Sequence, residues 1–420
     1  MNRIVQRLCY GLLFGLAGYS AFGQTQQPYT WQQVKEKFQT ANPTLEAGRI
    51  GIDESRAEEI TAYLRPNPDF TFSVDQFQVF TANPYRPFAY LFPSYATSYL
   101  HERRHKRELR LESAKKATTV AELQLADQER TLLLTLRTAF VQVLQAKAVL
   151  ALARENLSYY DKVLRVSNVQ KQAGDIAQVD LDRLELQRVQ YETDVETGDV
   201  NLRTAKIQLM MLLNDRTPLE KFDVTGRYDF SDDIPPLEQL RTMALANRPD
   251  LKAAVESIDK ARTDYRLAVA NGSTDPTFGV DFARNPPIPA YFGVSINIPL
   301  RIFDRNQGEK TRTELDIARN ERLRSATEAQ VFSDVDSAFA TVSGNVTLLR
   351  SYKNKYLQQA VRVRETISFS YQHGGSSLLD FLQAQQDYRT TELSYLNLIG
   401  SYLTALSQLN VAVGREVIGE

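Results

Sequence analysis

Cysteine is almost absent from this chain. Cys9 is the single one in 420 residues, which excludes an internal disulfide and any multi-cysteine metal site. Histidine is nearly as scarce, with three residues. His101 and His105 stand four apart, on one face of a helix, but Arg103, Arg104, Lys106 and Arg107 surround them and repel a cation. The methionines after Met1 are Met210, Met211 and Met243, too few for a relay of thioether ligands. With no metal pattern and no nucleophile paired to a base, the expected catalytic residues, metal ligands and cofactors are none. Charge of one sign is also lacking: 50 basic against 51 acidic residues leave a formal net charge of −1, so nothing points to a nucleic-acid partner.

Long apolar runs are missing too, with one exception. Residues Leu8 to Phe22 are apolar, follow Arg3 and Arg7, and end in Ala21-Phe22-Gly23. That is the layout of an export signal over 1–23, with Gln24 first in the mature chain. Cys9 lies too early in the run to be a lipid-modified residue, so the mature chain is expected to carry no cysteine. Beyond the signal no stretch of 18 apolar residues occurs, so a membrane crossing has to use β-strands.

What is present is a duplication at an offset of about 200 residues. Asn42-Pro43-Thr44-Leu45 recurs as Arg248-Pro249-Asp250-Leu251, and Ala139-Phe140 as Ala338-Phe339. Gly174 with Asp180 is matched by Gly374 with Asp380. Each half reads in the same order: helix, strand pair, very long helix, glycine-containing break, long helix. In the first half Leu132, Leu136, Ala139, Val143, Ala146, Leu150, Ala153, Leu157, Tyr160 and Leu164 step by four and three, a coiled-coil seam. Phe381, Ala384, Tyr388, Thr391, Tyr395, Leu398, Tyr402, Ala405 and Leu409 do the same in the second. A helix from about 104 to 172 would be about 100 Å long, a length suited to spanning a periplasm.

The strand pairs alternate. Phe70, Phe72 and Val74 face away from Thr71, Ser73 and Asp75; Phe278, Val280 and Phe282 away from Thr277, Gly279 and Asp281; Phe292, Val294, Ile296 and Ile298 away from Gly293, Ser295 and Asn297. The partner run near Tyr95, Thr97 and Tyr99 is less regular. Aromatics crowd the strand ends at Phe80, Tyr85, Phe88, Tyr90, Phe92 and Tyr291, as at a bilayer surface. Four strands cannot close a barrel, and open edges in lipid leave backbone groups unsatisfied, so the chain is expected to oligomerise.

This order, with the run Ile298-Pro299-Leu300-Arg301-Ile302-Phe303-Asp304-Arg305-Asn306-Gln307-Gly308, resembles the TolC family of outer-membrane efflux proteins, and within it the CzcC-like branch for heavy-metal cations. The resemblance implies an α+β membrane protein in two repeats, a long coiled-coil helical barrel plus four strands of a trimeric transmembrane β-barrel. It divides the chain into the signal 1–23; a first repeat 24–214, with strands about 68–100 and helices about 104–172 and 176–213; and an equatorial segment 215–236. A second repeat covers 237–412, with strands about 275–300 and helices about 307–372 and 377–410, before a tail 413–420. It implies a homotrimer in the outer membrane of a Gram-negative cell, partnered by a periplasmic adaptor and an inner-membrane RND-type pump. Gly174 and Gly374 correspond to adaptor-docking tips, and Asp380, with Asp180 as its first-repeat counterpart, to an acidic gate. The family's second gate carboxylate is replaced by Gln383. Either aspartate is equally readable as a helix first-turn residue favoured by the dipole. A multidrug or type I secretion duct, and a secreted coiled-coil structural or adaptor protein, are the alternative readings.

Overall fold

A computed structural model describes residues 27–77, 88, 91–284 and 289–417; the expected export signal over 1–23, Phe80, Tyr85 and Tyr90 lie outside them. The first repeat contains α1 (Trp31–Ala41), α2 (Pro43–Tyr63), β1 (Asp69–Asp75), β2 (Phe92–Leu100), α3 (Lys106–Ala173) and α4 (Gln178–Leu212). The second contains α5 (Leu237–Asn247), α6 (Pro249–Asn271), β3 (Thr277–Ala283), β4 (Tyr291–Asn297), α7 (Gln307–Ser351), α8 (Leu357–Gln372) and α9 (Leu378–Val413).

The equivalence of the repeats is visible in how helices begin. Pro43 and Pro249 each open a helix at its first position, where the missing N–H costs nothing. Asn42 caps α2 by accepting from the backbone of Thr44 and Leu45. Arg248 has no acceptor and cannot cap; it is 3% exposed and pairs instead with Asp250 at 2.6 Å and Asp334 at 2.7 Å. His105 and Asn306, at φ 56° and 60°, make the left-handed turn from strand into α3 and α7.

The helices form a wall. Near the sheet the contacts run α2 to α3 to α6 to α7, and farther away α4 to α3 to α9 to α7 and α8. The shorter helices stack end to end. Asn42 Nδ2 donates to the Leu212 carbonyl at 3.2 Å, setting α2 on the end of α4, and Arg248 reaches the Ala412 carbonyl at 3.5 Å, setting α6 on the end of α9. Four columns result: α4 with α2, α3, α9 with α6, and α7 with α8. In α3 the seam positions Leu136, Ala139, Val143, Leu150, Ala153 and Tyr160 are buried. So are Val141, Leu144, Asn156 and Ser167, because α3 is flanked on both sides and needs more than a two-position stripe. Between α7 and α8 the expected continuous helix widens into one π turn, Tyr352–Tyr356. There the Tyr352 ring stacks on Tyr395, 6.4 Å between centroids.

The sheet is antiparallel in the order β1-β2-β3-β4. Its register explains the irregular-looking β2. Tyr95 sits between Phe72 and Phe282, Thr97 between Phe70 and Val280, and Tyr99 beside Phe278, so one face carries Phe70, Phe72, Tyr95, Phe282, Phe292, Val294 and Ile296 together. Those side chains are exposed, whereas Ser94, Ala96, Ser98, Gly279 and Asp281 on the opposite face are half-buried. The sheet therefore curls toward its polar face and presents the apolar one outward, the arrangement of a barrel wall in lipid. Phe92 and Tyr291 stack at one end, 6.5 Å apart.

Candidate functional site

The ends of the helical wall farthest from the sheet are two helix-turn-helix tips of the same construction. Asp175 N donates to the Gln170 carbonyl at 2.9 Å and Gly174 N to that of Lys171 at 3.1 Å; Gly375 N donates to Ser370 at 2.8 Å and Gly374 N to Tyr371 at 3.1 Å. Each pair of bonds is a Schellman closure, which requires a left-handed residue at its corner. Gly174 (φ 86°) and Gly374 (φ 76°) supply it, and open space surrounds both. The two tips touch, with Gln170 Nε2 donating to the Gln372 carbonyl at 3.1 Å. All four sequence-derived positions, Gly174, Gly374, Asp180 and Asp380, are thus brought to one end of the molecule.

The two aspartates differ in their local duties. Asp380 is the third residue of α9 and completes a capping box: its Oδ2 accepts from the Ser377 hydroxyl at 2.7 Å and the Ser377 N–H at 3.3 Å, while Ser377 Oγ accepts from Asp380 N at 3.2 Å. Asp180 stands at the same place in α4, but Ala177 occupies the cap and has no side chain to close a box. Its carboxylate lies 3.8 Å from Arg183, itself the first-repeat equivalent of Gln383. Gln383 donates to Asp387 at 2.7 Å, so the next carboxylate along α9 is one turn farther from the tip.

Behind the tips, contacts that the sequence did not reveal close each hairpin and join the two. Tyr160 stacks on Tyr191 at 4.6 Å and Tyr371 on Phe381 at 4.9 Å, around buried Val163 and Leu184. Burial pushes the Tyr160 hydroxyl far above its ordinary range, and it remains a donor to the Leu184 carbonyl at 3.1 Å. Arg389 on α9 pairs with Asp194 on α4 at 2.6 Å and sits over the Tyr191 ring. These residues are 195 positions apart, and nothing in local spacing announces them. Glu392 is raised above the usual carboxylate range, first by burial and then by the neighbouring Glu155; Arg364, packed 3.6 Å over the Tyr388 ring, opposes that shift.

Above this cluster runs a groove of about 810 Å³ along α3, between α4 and α9. Its wall mixes amides and hydroxyls, among them Gln142, Gln145, Thr193 and Asn201, with aliphatic Val149, Leu152 and Leu393, and the Asp194–Arg389 pair supplies its charges in balance. It lies on the flank of α3 opposite Leu133, Arg137 and Phe140, which meet α1 and residues 226–231. One face of the wall is therefore covered by α1 and residues 226–231, and the other carries this open groove. No group of three or more His, Cys, Asp or Glu suited to a metal occurs among the described residues.

A family model described as outer membrane efflux protein matches residues 240–415, α5 to α9 with β3 and β4 between them. The second repeat of the chain is thus similar to this family. The cobalt-zinc-cadmium resistance protein CzcC of Cupriavidus metallidurans is 21% identical over 92% of this chain and 90% of its own length. The pyoverdine export outer membrane protein OpmQ of Pseudomonas aeruginosa is 23% identical over 73% of this chain and 66% of its own. Among solved structures, CusC aligns with a TM-score of 0.78 at 17% identity, covering 91% of this chain and 92% of that one. The Neisseria gonorrhoeae MtrE outer membrane channel aligns at 0.74 and 16%, covering 92% and 89%. The fold is that of the TolC-like channels, with the four-stranded sheet and the long helices in the same molecule. The family match and the likenesses to OpmQ and MtrE are to outer-membrane export proteins and channels, and not to enzymes.

Proposed function

We propose that the chain is one protomer of a passive homotrimeric duct that carries heavy-metal cations from an inner-membrane RND-type pump, through a periplasmic adaptor, across the periplasm and outer membrane. The observation behind the oligomer is that both layers stop at open edges. Among the described residues the sheet ends at β1 and β4 with no strand beyond, and the helical wall ends at α2 with α4 on one side and α7 with α8 on the other. Three copies of four strands make a twelve-stranded barrel wide enough for water. Four is even, so β4 of one copy and β1 of the next run antiparallel and the ladder continues without a break. In this reading Gly174 and Gly374 are the tips on which the adaptor docks, and the Asp380 carboxylates, with those of Asp180 beside them, ring the narrow inner end as a cation-attracting gate.

Metal cargo is supported by the near full-length match to CzcC. The match to OpmQ favours a second reading, an organic chelate as cargo. Deleting the gene and challenging cells with zinc, cobalt and cadmium, alongside hydrophobic drugs and siderophore export, separates them. The proposal expects metal tolerance to fall alone; unchanged metal tolerance with lost siderophore or drug export would replace it with the second reading.

A further inference from the structure

On the covered face of the helical wall a cavity of about 350 Å³ lies between α3 and α9, beneath α1 and residues 226–231. Its sides are the two middle columns and the strip that covers them, so it is complete within one chain, whatever the oligomer. The floor is apolar: Phe140, Phe230 and Leu403 are buried, and Leu133 and Leu406 pack beside them. Trp31, the one tryptophan in the chain, closes the side toward α1, its ring 5.5 Å from that of Phe140. Small-molecule pockets have this make-up, apolar with a few polar groups, and span roughly 300–1,000 Å³.

The charges around this floor are unequal. Lys35, Arg130, Arg137, Arg227 and Arg415 stand against Glu129, Asp229 and Glu416. Two of the carboxylates are engaged: Glu129 accepts from Gln39 at 2.6 Å, and Asp229 accepts from the Phe230 N–H at 2.9 Å and lies 3.6 Å from Arg227. Arg130 is engaged as well. It pairs with Asp127 at 2.6 Å and donates to the Val411 carbonyl at the end of α9, which fixes the spacing of the two sides. Arg137 sits over the Trp31 and Phe140 rings, 4.4 and 5.4 Å from their centroids. Lys35 and Arg415 differ from these. Neither has an ion pair among the described residues, and Arg415 donates only to the Met243 sulfur, at 3.5 Å. Lys35 is half-buried and Arg415 exposed, so they stand at the mouth, with Glu416 offsetting one of them. Spare positive charge at the mouth of an apolar pocket favours an anion with an apolar body.

We infer that this cavity binds an amphipathic carboxylate, a fatty-acid-like molecule whose chain lies on Leu133, Phe140, Phe230, Leu403 and Leu406 while its carboxylate meets Lys35 and Arg415. An alcohol of the same length gains only the apolar part, and an amine is repelled by the same two residues. A chain of roughly eight carbons suits the volume. One side of the cavity belongs to the first repeat and the other to the second, at the level where α9 meets α6. A bound ligand therefore ties the two halves together and stabilises the folded chain by mass action.

Trp31 makes the site readable, because no other indole emits. Protein in lipid nanodiscs, free of detergent, is titrated with octanoate, 1-octanol and octylamine while Trp31 emission is followed. Octanoate is expected to change the emission saturably, with half-saturation at or below about 1 mM, and the alcohol and the amine to need about tenfold more. Lys35→Gln combined with Arg415→Gln should weaken octanoate about tenfold and leave octanol unchanged, a split that a merely structural loss does not produce. Octanoate should also raise the melting temperature of the wild type more than that of the double variant. An unsaturable response, equal half-saturation for octanoate and octanol, or a double variant that binds octanoate as the wild type does overturns the site. So does octanoate binding that appears only after residues 418–420 are deleted, since those residues would then be the occupant.

Discussion

Asp380 carries two duties that substitution can separate. Its carboxylate closes the capping box of α9 with Ser377, and in the proposed ring the same carboxylate supplies negative charge at the gate. Ser377→Ala removes most of the cap and keeps the charge. Asp380→Asn keeps an oxygen able to accept from the Ser377 N–H and removes the charge. Losing an N-cap of this kind costs about 1 kcal/mol, with a range of roughly 0.5–2. That shifts an open-to-closed equilibrium about fivefold for one tip. If three tips move together the costs add to about 3 kcal/mol, a shift of roughly a hundredfold. Single-channel recording in planar bilayers reads both effects. Ser377→Ala is expected to raise the resting open fraction while divalent cations still block from the periplasmic side. Asp380→Asn is expected to leave the resting open fraction near wild type and to lose the block. If Asp380→Asn is blocked as wild type is, the carboxylate has no gate role and its function is the helix cap alone. If the two variants behave identically, the charge argument is wrong.

Three further outcomes follow from the geometry. Gly174→Ala and Gly374→Ala force a side chain into the left-handed region at φ 86° and 76° and should each cost about 1 kcal/mol. Faster proteolysis at the substituted tip, with the barrel intact, is the readout, and wild-type protection at both tips would count against the closure described. Val294→Arg places a charge on the outward face of the sheet, where Val294 is 76% exposed. It should cost about 2–4 kcal/mol in the bilayer and lower the yield of assembled protein, whereas Ser295→Arg on the opposite face should be tolerated; equal yields would mean the faces are assigned wrongly. Glu392 is held above the usual carboxylate range by burial and by Glu155. A raised folded-state value means that the folded protein holds the proton more tightly, so stability falls as pH rises through the interval between the ordinary glutamate value and the folded one. Glu392→Gln should therefore raise the melting temperature near neutral pH and lose that advantage below about pH 4; a variant less stable than wild type at neutral pH would contradict the sign.

The fold class was legible because its signals are local and repeated. A four-and-three alternation such as Leu136, Ala139 and Val143 names a coiled-coil helix whatever it packs against, and the alternation of Phe278, Val280 and Phe282 names a two-faced strand. The Gly174 and Gly374 corners were legible for the same reason, since a Schellman closure is a property of six consecutive residues. Asp380 was legible only as a position. Whether its carboxylate caps α9 depends on Ser377, three residues away, and whether it also gates depends on other copies of the chain.

The sequence by itself determined the duplication, the long helices and the two-faced strands, because each follows from periodicity. Only the tertiary structure decided how the pieces stack. The continuity of α4 with α2 rests on one hydrogen bond from Asn42 to Leu212, and that of α9 with α6 on Arg248 reaching Ala412. The tie between hairpins rests on Asp194 meeting Arg389. Such pairings join residues far apart in the chain, where no periodicity links them. Burial and the removal of competing water select them once the columns are side by side.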